Sequence, residues 1–132
     1  MQEHEPDIVA LLQDTFNSWL VGQWPEARRA YGSVRTGSDA TAAPVLATFL
    51  HDISGTAALA GAPHLGKVAH VLDRRCRACA WRFCNDCIGE RDRLWRVLAA
   101  EVERRIAGQA PPEDAMLATV ADLLTEPDRH TR

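Results

Sequence analysis

The residues whose types and spacing carry the most chemistry are four cysteines in one short run, Cys76-Arg77-Ala78-Cys79-Ala80-Trp81-Arg82-Phe83-Cys84-Asn85-Asp86-Cys87. They form two CxxC pairs, and two such pairs in a reducing compartment are a metal signature. Four thiolates close a tetrahedral zinc site, and a closed all-cysteine site is structural rather than catalytic. The short gap between the pairs suits a tight turn joining two helices, the first pair ending one and the second opening the next. Arg75, Arg77 and Arg82 stand ready to offset the site's negative charge. Two other readings stay open. Cys79, Cys84 and Cys87 repeat the Cx4CxxC spacing of plant-type ferredoxins, but that iron–sulfur pattern expects a further cysteine downstream and none follows Cys87. Free thiols or disulfides are the plainest alternative.

The second chemical residue is His51. Wound at about 100° per residue, the stretch around it splits into two faces. Leu46, Phe49, Leu50, Ile53, Ala57 and Ala60 share one arc, wide enough to face a core. His51 lies about 150° from the centre of that arc, beside Gly55 and Ala58, with Ser54 on the flank. The spacing therefore predicts a histidine on the wet side of a packed helix with nothing large near it. Glycine inside a helix costs about 1 kcal/mol against alanine, so Gly55 needs a reason, and close approach of another macromolecule supplies one.

His51, Gly55, Ala57 and Gly61-Ala62, continuing through Leu65, Ala69, His70, Leu72 and Asp73, resemble the motif of histidine-containing phosphotransfer (HPt) domains. The likeness covers roughly residues 45 to 75. It implies an HPt-like helical bundle in which His51 accepts a phosphoryl group and passes it on. The implied partners are the receiver domain of a response regulator, a histidine kinase, or both. One position departs: the family usually carries lysine three residues after its histidine, and here that residue is Ser54. Ser54 would instead offer one hydrogen bond to a phosphoryl oxygen. Lys67, the sole lysine, stands on the following helix as a substitute cation or as an ordinary surface charge. The alternative is a catalytically silent HPt-like scaffold that acts as a zinc- or redox-responsive regulator of protein interactions.

The elements that must position these residues are all helical. Pro6-Asp7 opens a first helix bearing Ile8, Leu11, Leu12, Phe16, Trp19 and Leu20, with Gly22 as its stop. Pro25 starts a short second helix through Tyr31, and residues 32–38 read as a loop. Asp39 or Thr41 caps the helix that carries His51, which ends near Gly61. Pro63 starts the next, with Leu65, Val68, Ala69, Val71 and Leu72 inward and Arg74-Arg75 at its basic end. Asn85 or Asp86 opens a long helix from Ile88 to Ala107 carrying Leu94, Trp95, Leu98, Val102 and Ile106, with Gly108 as its stop. A last helix runs from Pro111-Pro112 through Leu124. The sum is one all-α domain, residues 1–132, with four main helices, short extra ones, and a four-cysteine clasp between two of them at 76–87.

Composition narrows the function classes. A chain that is 46% hydrophobic, 25% charged and of net charge −3 is ordinary for a globular domain and offers no broad attraction to nucleic acid or membranes. No apolar run approaches the ~18 residues of a membrane span. The acidic start, Met1-Gln2-Glu3-His4-Glu5, lacks a signal peptide's basic region, so the expected compartment is the reducing cytoplasm. His64 and His70, six apart, turn away from each other on a helix, and His4 and His130 fall in the tails. The tryptophans read as packing rather than a stacking platform. Arg28-Arg29 and Arg104-Arg105 read as solvated faces.

Overall fold

The structure, a computed structural model, describes residues 7–109 and Ala121. Four helices make it up: α1 (Ile8–Thr36), α2 (Ala42–Thr56), α3 (Pro63–Ala78) and α4 (Ile88–Ile106). Among the described residues there is no strand. Each helix packs on the next and α4 returns to α1, so the short connections close an antiparallel four-helix bundle around one core. The helix expected after Pro111, together with His4 and His130, lies outside the described residues.

The largest correction concerns α1. Gly22 does not stop it, Pro25 does not start a separate helix, and residues 32–36 are not loop; one helix of 29 residues runs through all of them. Proline inside a helix costs about 3 kcal/mol. What outweighs that cost is an unbroken apolar stripe, with Phe16, Leu20, Trp24, Ala27, Tyr31 and Val34 all buried. Asp7 caps the start, its carboxylate accepting from the Ala10 N–H at 3.1 Å. The true stop is Gly37, at φ 71° in the left-handed region that glycine occupies freely. Ile8, Leu11 and Leu12, expected to be core, are exposed among the described residues, because α1 is longer than the described helices packed against it.

The core arc of α2 stands as expected: Leu46, Phe49, Leu50 and Ile53 are buried, and so are Ala57 and Ala60 in the turns that follow. The helix itself ends at Thr56, and tight turns carry the chain on to Gly61 at φ 78°. Thr41 stands at the cap position without a side-chain bond to the helix, while Asp39 accepts from the Thr41 N–H and hydroxyl. In α3, Leu65, Val68, Ala69 and Leu72 are buried, and Val71 is half-buried. Its approach to α2 is close at Gly66, where a Cβ would lie 3.5 Å from that of Ala57 and 3.6 Å from the Ser54 carbonyl. In α4, Leu94, Leu98 and Val102 are fully buried, and Gly108 at φ 74° follows its end as expected. The cap of α4 is Cys87 rather than Asn85 or Asp86.

The tryptophans are packing residues. Rings run in contact from Phe16 to Trp19, Phe49, Trp24, Trp95, Tyr31 and Phe83, with Tyr31 and Trp95 parallel at 4.2 Å. This file ties α1 to α2 and α4.

Candidate functional site

His51 projects from the outer side of α2 and is exposed, as are Gly55 and Ala58 on the same face. The helix beneath is pinned on both flanks, because Leu50 and Ile53 have no solvent exposure at all. The imidazole therefore stands on a rigid support with open space around it. At Gly55 an added Cβ would meet nothing within 4 Å, so the fold itself does not require glycine there. Two hollows of about 350 and 330 Å³ flank this face along the α1–α2 seam, and Trp19 and Asp52 line both. His51, the residue before Asp52, is in the lining of neither hollow.

The two proposed helpers differ in readiness. The Ser54 hydroxyl donates to the carbonyl of His51 at 2.8 Å, so its hydrogen is engaged within the helix rather than aimed outward. Lys67 is exposed on α3, one residue after the Gly66 that rests against the Ser54 carbonyl.

The cysteines lie where α3 hands over to α4. Cys76 sits in the last turn of α3 with no exposure, Cys79 caps that helix, and Cys87, almost fully buried, caps α4. Cys84 is exposed. Between the pairs, Ala80 and Trp81 both adopt positive φ, 53° and 59°, a conformation that costs side-chain-bearing residues about 1 kcal/mol or more each. Three backbone bonds hold that turn, Ala80 N–H to the Arg77 carbonyl at 3.0 Å, Trp81 N–H to that of Cys76 at 2.8 Å and Arg82 N–H to that of Cys79 at 3.0 Å.

The Cys84 and Cys87 sulfurs are 3.6 Å apart. That matches the edge of a zinc–thiolate tetrahedron, about 3.8 Å for bonds of about 2.3 Å. The other pair is turned away: the Cys79 thiol points to the carbonyl of Cys76 at 3.3 Å. As they stand, among the described residues no three side chains of histidine, cysteine, aspartate or glutamate converge on a metal position. Four thiols suit zinc in kind and number, but only Cys84 and Cys87 stand in contact.

Electrostatics separate the thiols. Burial pushes the Cys76 thiol well up, with the neighbouring Cys79, Asp73 and Cys87 adding to it. Burial likewise pushes Cys87 up to about 11. At Cys84 desolvation works upward, but hydrogen bonds with the Cys87 thiol and the Asp86 and Cys87 amides together outweigh it and hold the thiol below its usual range.

The countercharge differs from the sequence expectation. Arg75 is committed to Glu90, Arg77 pairs with Asp73 at 3.0 Å and lies over the Trp81 ring, and Arg82 is exposed. Arg91, which the sequence did not single out, has no exposure; it donates to the Arg75 carbonyl at 2.6 Å and to Glu90 at 3.1 Å. Its charge favours the ionised forms of both Cys76 and Cys87. No simple sequence signal marks it, since its burial depends on α3 lying across it.

No family model, curated protein or solved structure matches this chain. Among the described residues, no helix is long and apolar enough to cross a membrane.

Proposed function

We propose that this chain is an HPt-like phosphoryl carrier of a two-component relay, with His51 as the group that is phosphorylated. The observation that carries the reading is a solvent-exposed histidine on a fully buried helix stripe, with Gly55 and Ala58 leaving its approach clear. A neutral imidazole is a competent nucleophile. Its unprotonated nitrogen attacks the phosphorus of a receiver's aspartyl phosphate. The N–P bond forms as the acyl P–O bond breaks, and the receiver's carboxylate leaves. Transfer to a second receiver runs the step in reverse. The carrier contributes position and access; the receiver contributes the activated phosphoryl group and its own metal ion. In this reading Lys67, exposed on α3, serves as the substitute cation for phosphoryl charge, and Ser54 joins only if its hydroxyl turns from the His51 carbonyl.

The four cysteines, in this reading, hold a structural zinc ion in the reducing cytoplasm and staple α3 to α4. Cys84 and Cys87 stand 3.6 Å apart, and metal binding requires Cys76 and Cys79 to bring their sulfurs to the same point.

The test is phosphoryl acceptance from phosphorylated receiver domains and autophosphorylated kinases, wild type against His51→Gln. Acid-labile label on wild type alone is the expected result. Label that persists on His51→Gln, or no label on wild type from any donor while the fold is intact, overturns the relay. The latter outcome moves the chain to the silent, zinc- or redox-responsive interaction scaffold.

A further inference from the structure

Cys84 and Cys87 are unequal partners in close contact. Cys84 is exposed, Cys87 is 1% exposed at the head of α4, and their sulfurs are 3.6 Å apart. The Cys84 N–H donates to the Cys87 sulfur at 3.2 Å. The connection is tight, with the Cys87 and Ile88 N–H groups both bonded to the Cys84 carbonyl. The other pair lacks this arrangement. Cys76 has no exposure, and the Cys79 thiol is turned onto the Cys76 carbonyl at 3.3 Å.

We propose that Cys84 and Cys87 form a redox-active dithiol that exchanges with disulfides, Cys84 as the attacking and Cys87 as the resolving sulfur. Exchange proceeds through attack of a thiolate on a disulfide sulfur and a mixed-disulfide intermediate. The accessible Cys84 thiolate attacks a small disulfide such as oxidised glutathione. The S–S bond breaks, one thiolate leaves, and Cys84 carries the mixed disulfide. Cys87 then gives its proton to the departed thiolate and attacks the Cys84 sulfur, and the second thiolate leaves, taking a proton from solvent. Two electrons pass from the protein to the small disulfide; the products are a Cys84–Cys87 bond and two free thiols. Burial of Cys87 shields it from a first attack, while its nearness to Cys84 makes resolution intramolecular.

The proposal stands without a metal. If zinc is bound, the same bond removes two of four ligands, so oxidation and metal binding exclude each other.

The experiment uses the full chain, with zinc content measured as purified. The chain is then stripped with chelator, equilibrated in mixtures of reduced and oxidised glutathione, acid-quenched, alkylated and mapped by peptide mass spectrometry. The expected product is one intramolecular Cys84–Cys87 bond, with Cys76 and Cys79 recovered as alkylated thiols. Cys87→Ser should accumulate glutathione on Cys84, and Cys84→Ser, which cannot form the bond, should take glutathione onto Cys87 roughly tenfold or more slowly. A bond joining other cysteines, or a glutathione adduct that persists on wild-type Cys84, overturns the proposal. A chain that purifies without zinc yet forms this bond sinks the metal clasp and leaves the dithiol standing. A zinc-loaded chain whose stripped form pairs other cysteines does the reverse.

Discussion

Gly55 separates what the fold needs from what a partner needs. It lies within α2, one helical turn beyond His51, and a Cβ there would meet nothing within 4 Å. For stability alone, alanine is the better residue. Glycine costs up to about 1 kcal/mol inside a helix, and roughly 0.5 kcal/mol is reasonable so close to the end of α2. Gly55→Ala should therefore raise the melting temperature by about 2–4 °C, read by circular dichroism. Gly55→Leu should also fold, since its side chain points into open space. Residues four apart on a helix have Cβ atoms about 5–6 Å from each other, so that leucine crowds the approach to His51 without touching the core. Two phosphoryl donors make the assay decisive. Phosphoramidate, small enough to reach the imidazole past a leucine, should label Gly55→Leu at close to the wild-type rate. A phosphorylated receiver, which must bring its own surface against α2, should label it at least about tenfold more slowly, equivalent to a barrier increase of about 1.4 kcal/mol. Equal labelling of wild type and Gly55→Leu by the receiver would refute the argument that glycine clears a docking surface. A destabilised Gly55→Ala would refute the claim that the space is open.

Arg91→Met should cost about 3 kcal/mol in urea unfolding followed by tryptophan fluorescence, because it strips a buried partner from the Arg75 carbonyl and Glu90; a loss under about 1 kcal/mol would show that the latch between α3 and α4 is dispensable. Asp92 titrates in a predictable direction. Partial burial works to raise its carboxyl, but hydrogen bonds from Arg35 and Tyr31 and the Arg35 charge outweigh that and hold it below the usual range. A depressed carboxyl stabilises fully above its unfolded pKa of about 3.9 and loses that contribution as pH falls through the folded value, so the stability gap between wild type and Asp92→Asn should close below about pH 4. Chelation of a zinc-loaded chain should lower the melting temperature and quicken amide exchange at the end of α3 and the start of α4, with α2 unchanged; an unaltered exchange pattern would show that the metal bears no load there. Freshly purified protein should be colourless, and visible absorbance with bound iron would replace zinc by an iron–sulfur cluster.

The face of α2 was legible because periodicity answers the question it is good for, which side of a helix is apolar. Leu46, Phe49, Leu50 and Ile53 are buried and His51 is opposite them. Periodicity does not say whether a neighbour is present. Ile8, Leu11 and Leu12 extend the apolar pattern of α1, yet a helix of 29 residues spans about 44 Å against about 22 Å for the 15 of α2, and among the described residues the surplus is left exposed. Gly22 and Pro25 misled for the opposite reason. They are local signals, and the stripe continuing through Trp24, Ala27 and Tyr31 outweighed them. The cysteine spacing identified donors but not rotamers, so the Cys84–Cys87 contact and the turned-away Cys79 were invisible. Nothing in Ala80-Trp81 announces a left-handed turn either, because neither residue is of the kind that usually makes one.

The bundle is also unevenly fastened, and the unevenness places the cysteines. The aromatic file joins α1, α2 and α4, while α3 contributes no ring to it. α3 depends instead on aliphatic burial at Leu65, Val68 and Leu72, on the close approach at Gly66, and on the Arg75–Glu90–Arg91 latch to α4. The chain leaves α3 through two residues in an unfavourable backbone conformation, which persists only where surrounding contacts over-determine it. A bond among the cysteines at this corner, whether through zinc or between Cys84 and Cys87, acts where α3 leaves the bundle. The His51 face depends on Leu50 and Ile53, which reach the core between α1 and α3. Substituting the cysteines should therefore loosen the corner while leaving the geometry of His51 in place, and that separation distinguishes a relay with a staple from a single coupled device.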